Sequence, residues 1–219
     1  MKNNLLLVPA ALALFAIAPA AWGQVAIYDF DSSTPSASSV AANLLASDIS
    51  GGAGISAFAY DAGNPSSGKA LSATKWGLAF DTSDYFELTL NPDSGFTLTL
   101  TAFQMDTRRS PTGPTTWELR SSLDSYASSL GGASPGDGTF AAGQTVDLSG
   151  GASFVDLSSP VTFRVFAYGA TSSAGTFRID NLKFDGSVAP VPEPAGWAML
   201  GGLMLLGYGV TSRITRGGH

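Results

Sequence analysis

The one histidine, His219, is the final residue of the chain, and there is no cysteine. A Ser-His-Asp or Cys-His relay needs an imidazole beside its nucleophile. A zinc site needs imidazole or thiolate ligands. The body of this chain can build neither, and it can form no disulfide. Hydrolytic chemistry would fall to carboxylates, as in glycoside hydrolysis, where two acids flank the scissile bond. Only two glutamates, Glu87 and Glu118, lie between residues 24 and 189. Both sit in alternating patterns that place them on a solvated strand face. An aspartate pair is left open by the sequence.

Three other groups of residues have the chemistry to bind a ligand. Asp29 and Asp31 flank the end of the first strand pattern, and Asp180 and Asn181 lie on the last. Hard oxygen ligands suit Ca²⁺, so these four are candidates for a structural calcium site if the first and last strands are neighbours. The plainer alternative is that Asp180-Asn181 makes a bulge and Asp29 to Asp31 ends a strand. Arg108-Arg109 stands in a stretch rich in Pro, Gly and Thr. Two guanidinium groups on a loop could grip a carboxylated sugar, or could pair with Asp106 and hold the loop. Trp76 and Trp117 could stack on a sugar ring, but both lie in strand patterns where core burial is the ordinary fate of an indole.

The elements that must position these residues are strands. Between residues 24 and 189, short apolar runs are separated by Ser, Thr, Gly and Ala, and long helical periodicity is absent. Strands are expected over residues 25–30, 55–60, 76–80, 85–90, 96–105, 117–120, 161–166 and 177–184. Residues 40–45 fit a short helix or a loop. Phe86, Leu88 and Leu90 share one face, as do Phe96, Leu98 and Leu100 beyond the turn at residues 91–95. These two runs read as a hairpin with one wet face. Phe103 and Met105 continue the apolar set on the opposite parity, so a bulge near Ala102 is expected, and Leu182 and Phe184 require another near Asp180-Asn181. The fold class is all-β, a two-sheet antiparallel sandwich with jelly-roll character, followed by a single C-terminal transmembrane helix.

Both ends of the chain carry targeting features. Residues 1–23 read as a signal peptide, with Lys2 as the positive region, an apolar stretch over residues 5–17, and Ala21-Trp22-Gly23 before a cut at Gln24. Residues 186–190 read as a flexible linker. Residues 195–210 carry no charge, and Arg213 and Arg216 follow. Sixteen residues of helix span about 24 Å, short of a hydrocarbon core of about 30 Å unless Thr211 and Ser212 are drawn in. Basic residues past an apolar span hold that end in the cytoplasm, so the body is expected outside the inner membrane. The body carries sixteen carboxylates against eight Lys or Arg, a net charge of −8. Nucleic acid, which needs clustered cations, is not an expected partner.

Pro192-Glu193-Pro194, the apolar span over residues 195–212 and the basic end at Arg213 and Arg216 together resemble the PEP-CTERM sorting signal of Gram-negative bacteria. The resemblance covers residues 190–219. It implies recognition of Pro192, Glu193 and Pro194 by an exosortase, transient anchoring in the inner membrane, and delivery to the cell surface or exopolysaccharide matrix. Residues 28–31, 106–114, 117–122 and 172–181 are similar to a recurrent uncharacterised domain attached to such tails, which implies a setting and no reaction. The sequence therefore favours a non-catalytic surface or matrix protein with weak glycan binding, including to matrix polysaccharide. The alternatives are a carboxylate-dependent enzyme acting on polysaccharide, and a purely structural or adhesive surface protein.

Overall fold

The computed structural model describes residues 22–150 and 152–191. The expected signal-peptide residues before Trp22, the Pro192-Glu193-Pro194 motif, the apolar span and Arg213 and Arg216 lie outside the described residues. No helix among the described residues is long and apolar enough to cross a membrane.

The chain folds into β1 (Gly23–Tyr28), β2 (Ser39–Val40), β3 (Leu44–Ala46), β4 (Ser50–Gly51), β5 (Ala59–Ala62), β6 (Lys69–Ala73) and β7 (Tyr85–Pro92). It continues through β8 (Phe96–Arg109), β9 (Thr116–Ser121), β10 (Gly131–Ala133), β11 (Gly136–Asp137), β12 (Ala141–Asp147), β13 (Val161–Tyr168) and β14 (Phe177–Pro190). Two single turns of 3-10 helix, Ser122–Asp124 and Ala152–Phe154, complete the regular structure. The first sheet holds β11 and β12 beside β8, then β14, then β1 with β2 and β6 with β5. The second runs β10-β9-β13-β7, with β3 and β4 both against β7. All pairings are antiparallel except the short β11–β8 contact. The all-β, two-sheet architecture is as the residue pattern required.

Alternation creates the core. In β7 every second residue from Phe86 is buried, and in β13 Val161, Phe163 and Val165 do the same. Phe163 of β13 meets Phe184 of β14 with ring centroids 4.7 Å apart, and Phe86 of β7 stacks on Phe177 of β14 at 6.0 Å. Each contact joins the two sheets through offset or tilted rings, the favoured aromatic geometry. Both expected bulges form. Leu100 pairs with Gly186 and Ala102 with Asp185, so Thr101 is the extra residue. Asp180 pairs with Asp106 and Lys183 with Gln104, which places the second bulge at Asn181-Leu182, where Asn181 adopts φ +47°. Asparagine tolerates that left-handed conformation better than most residues.

Several expectations are corrected. β7 and β8 are not a hairpin. β7 pairs with β13, β3 and β4 in one sheet, and β8 pairs with β14, β12 and β11 in the other. The turn at Asp93 to Gly95 carries the chain across the sandwich, closed by the Phe96 N–H to Asp93 O bond of 3.0 Å and by Gly95 at φ +86°. Two runs with one apolar face each can cover one another across a core as well as lie side by side. Residues 40–45 form parts of β2 and β3 and no helix. Residues 76–80 lie outside the strands, and the neighbouring strand is β6. Residues 186–190 are no linker: Gly186, Ser187, Val188, Ala189 and Pro190 pair in register with Leu100, Thr99, Leu98, Thr97 and Phe96. Small side chains serve in such a backbone-paired strand as well as in a spacer, so composition alone does not separate the two.

Candidate functional site: an arginine cleft at one pole of the sandwich

β8 and β14 end together. Arg108 and Arg109 close β8, and Arg178 and Phe177 open β14, with Arg178 directly opposite Arg108 and Phe177 opposite Arg109. Arg108 and Arg109 are thus strand residues, not loop residues as expected. Beyond them the loops at residues 110–114 and 172–176 cross in contact. The Ser110 N–H donates to Thr176 O at 3.1 Å, and the Thr176 N–H donates to Ser110 Oγ at 2.9 Å. The crossing requires glycine: a Cβ on Gly113 would sit 2.2 Å from Thr176 O, and one on Gly175 would sit 2.3 Å from Thr112 O.

Between these loops and β11 lies a cleft of about 120 Å³, lined by Arg108, Arg109, Ser110, Pro111, Gly138, Thr176 and Arg178. Arg109 is held from two directions. Its Nη1 donates to Ser110 O (3.3 Å) and Pro111 O (3.0 Å), and its Nη2 meets Asp137 Oδ2 at 2.6 Å. Arg178 Nη2 lies 3.2 Å from Asp61 Oδ2. Arg108 packs its guanidinium 5.9 Å from the Phe140 ring and has no ion-pair partner among the described residues. Like charges directly opposite on paired strands are unfavourable, so the Arg108–Arg178 juxtaposition raises the local positive potential. The cleft can take an anionic oxygen group through charge-assisted, bidentate hydrogen bonds. The sequence pointed to Arg108 and Arg109 but missed Arg178. Its signal was the Phe177-Arg178-Ile179 alternation, which sends Arg178 to the outer face.

The remaining candidates are placed elsewhere. Trp76 and Trp117 are core residues, 2% and 1% exposed, and neither can stack on a sugar. Their indole N–H groups are satisfied inside, Trp76 on Ala73 O at 2.9 Å and Trp117 on Gln144 Oε1 at 2.6 Å. Glu87 and Glu118 stand on the outer face of the second sheet, as expected, each 2.6 Å from an arginine, Arg164 and Arg120 respectively.

The four calcium candidates do not form one ligand set. Asp29 Oδ1 accepts the Asp31 N–H at 3.2 Å, and Asp31 Oδ1 accepts the Lys69 N–H at 2.8 Å. Asp180 and Asn181 instead join Asp106 and Asn64. Asp180 Oδ2 accepts the Asn64 N–H (2.6 Å) and Oδ1 accepts the Asn181 N–H (2.8 Å). Asp106 Oδ2 accepts both the Asn64 and Asn181 side-chain amides at 2.9 Å, and its Oδ1 accepts the Gly143 N–H at 2.6 Å. Asp106 therefore pairs with these groups and not with either arginine. Among the described residues no three Asp, Glu, His or Cys side chains are placed to hold a metal ion. The Asp106–Asp180 pair is buried, and burial pushes the Asp180 carboxyl up to about 6. Neighbouring Asp106 and Asp31 add to the rise, and the two N–H donors oppose it. Two carboxylates with environments this close could share acid–base work, but these are roofed by Asn64 and Gly143.

The described residues thus form an all-β, two-sheet sandwich with an arginine-lined cleft at one pole. No family model matches the chain, and no curated protein matches it. One solved structure, described as a structural analysis of an exo-beta-agarase, aligns with 78% of this chain at 15% identity and a TM-score of 0.40. The alignment covers 25% of that protein's chain, so this chain spans about a quarter of its length.

Proposed function

We propose that this chain is an exported surface or exopolysaccharide-matrix protein that acts without catalysis and holds glycan weakly through the arginine cleft. The observation that carries the reading is the gathering of Arg108, Arg109 and Arg178 around one cleft in a body of net charge −8. That is three of the five arginines between residues 24 and 189. Such a local reversal of sign is suited to an anionic group met at short range, where screening leaves distant repulsion weak. Single contacts of this kind are weak and gain strength through many copies along one polymer. The jelly-roll character of the sandwich belongs to the same reading. So does the tail: Pro192, Glu193 and Pro194 would be read by an exosortase while residues 195–212 rest in the inner membrane and Arg213 and Arg216 mark the cytoplasmic side. A structural Ca²⁺ is no part of this reading.

An enzyme of the carboxylate type is the second reading, and the Asp106–Asp180 pair is what favours it. Against it stands the burial of that pair and the commitment of both side chains to N–H donors from Asn64, Gly143 and Asn181.

The test has two arms. Mass spectrometry of protein washed from the cell surface should show chains lacking residues 195–219, and Glu193→Ala should leave full-length protein in the inner membrane. The released protein should be retained by the producer's own matrix fraction at low salt. Intact tails on surface-washed protein, or no retention at any salt, would overturn the assignment.

A further inference from the structure

We infer that the cleft takes a single carboxylate or sulfate group borne on a polymer, and that Asp137 is an internal stand-in which the incoming group displaces. The inference rests on the reading of the cleft as the glycan contact and names what it recognises.

The lining gives the first argument. The cleft is lined by three arginines, with no acid and no aromatic ring among Ser110, Pro111, Gly138 and Thr176. Nothing there can stack on a sugar face. The recognised unit is thus an acid substituent.

The second argument is the state of the three guanidiniums. Arg109 is aimed: one edge is fixed by the Ser110 and Pro111 carbonyls, so the Nη2 edge must face whatever acid lies in front of it. The acid there is Asp137 at 2.6 Å, whose side chain is 56% exposed. Asp137 belongs to β11, a two-residue strand at the rim of its sheet. A carboxylate so exposed gains little from its ion pair, and its strand is held by few neighbours. Arg178 has a similar relation to Asp61, which is 38% exposed and shares its Oδ2 with the Ser72 hydroxyl at 2.8 Å. Arg108 lacks any acid among the described residues and so offers an unoccupied fork. An incoming oxyanion would bind Arg108 first and then take over the Nη2 edge of Arg109, releasing Asp137 to water. No covalent bond changes, and one oxyanion is exchanged for another.

The experiment uses the full chain in nonionic detergent micelles, titrated with polygalacturonate, dextran sulfate and unsubstituted dextran. Binding is read by affinity electrophoresis at two salt concentrations. Retardation by polygalacturonate, dextran sulfate or both, weakening with salt and absent for dextran, is expected. The choice between the first two assigns a carboxylate or a sulfate source. Arg108→Ala should weaken the bound polymer about tenfold, as loss of a charge-assisted pair does. Arg108→Lys should recover part of the loss, since the charge returns without the fork. Lys69→Ala, which removes the same charge elsewhere, should leave binding within about twofold. Asp137→Asn should tighten binding severalfold by removing the internal competitor. Equal losses for Arg108→Ala and Lys69→Ala would overturn the site, and weaker binding by Asp137→Asn would overturn the displacement. Thermal melts within a few degrees of the parent keep misfolding from mimicking either loss. Should the chain hold native matrix but neither polyanion, this inference falls while the proposed function stands. Binding of a polyanion without retention by native matrix would be the reverse.

Discussion

Asp180 shows how one side chain ties position to stability. It is 2% exposed, lies opposite Asp106 across β8 and β14, and its carboxyl is raised to about 6 by burial. The folded protein therefore keeps a proton on this group that the unfolded chain has released at an ordinary carboxylate value near 4. Stability contributed here is full below about pH 4 and is lost as pH climbs through about 6. A shift of about two units is worth roughly 3 kcal/mol. Urea titrations at pH 4.5 and 7.5 should show a stability difference in the parent that shrinks by an amount of this order in Asp180→Asn; an unchanged difference would place the titration elsewhere. Little of this was legible in the sequence. Asp180-Asn181 could be read as a bulge because Ile179 and Leu182 break phase, but its true partners, Asn64 and Asp106, come from loops and strands far along the chain. The same distance hid Arg178 from Arg108. Residue type signalled an anion grip at Arg108-Arg109, whereas the third guanidinium depends on the β8–β14 register, which no local pattern states.

At the scale of elements, alternation was a reliable guide to which residues face the core and a poor guide to which strands pair. Leu88 and Leu98 are both buried, as their phase required, yet they lie on opposite sheets. An apolar face says only that something must cover it. The choice between a neighbour in the ladder and a strand across the core was made by the partners β13 and β14. Short strands rich in glycine, such as β10 (Gly-Gly-Ala) and β11 (Gly-Asp), were illegible for a related reason, since they hold their place by backbone pairing and not by side-chain burial. Leu98→Asp should unfold the protein, because an unpaired carboxylate in this core costs several kcal/mol. Loss of the β circular dichroism signal and of a cooperative melt is the expected outcome. Glu87→Gln, on the outer face of β7, should cost no more than about 1 kcal/mol, the usual worth of an ion pair on a surface face. If Leu98→Asp melted like the parent, the core assignment of β8 would be wrong.

Taken as a whole, the molecule is organised along β14. This strand bonds to β8 from Phe177 to Pro190 on one side and to β6 and β1 on the other. The arginine cleft stands at its first residues. Its last residue leads straight into Val191, whose N–H is tied to Gly95 O at 2.8 Å. From Arg178 to Pro190 a strand extends roughly 40 Å. The cleft and Val191 are thus at opposite poles, joined by one continuous backbone. This gives the sandwich a mechanical sense. A pull between Val191 and the cleft would run lengthwise through β14 and load its flanking hydrogen bonds together in shear. A pull between Val191 and the neighbouring corner at Gly95 would open the same ladder one rung at a time. Optical-trap handles at residues 176 and 191 should therefore rupture the fold at clearly higher force than handles at residues 95 and 191. Equal forces would show that β14 is no tension member. If the force is anisotropic in this way, the protein is stiffest along the line that joins the arginine cleft to Val191.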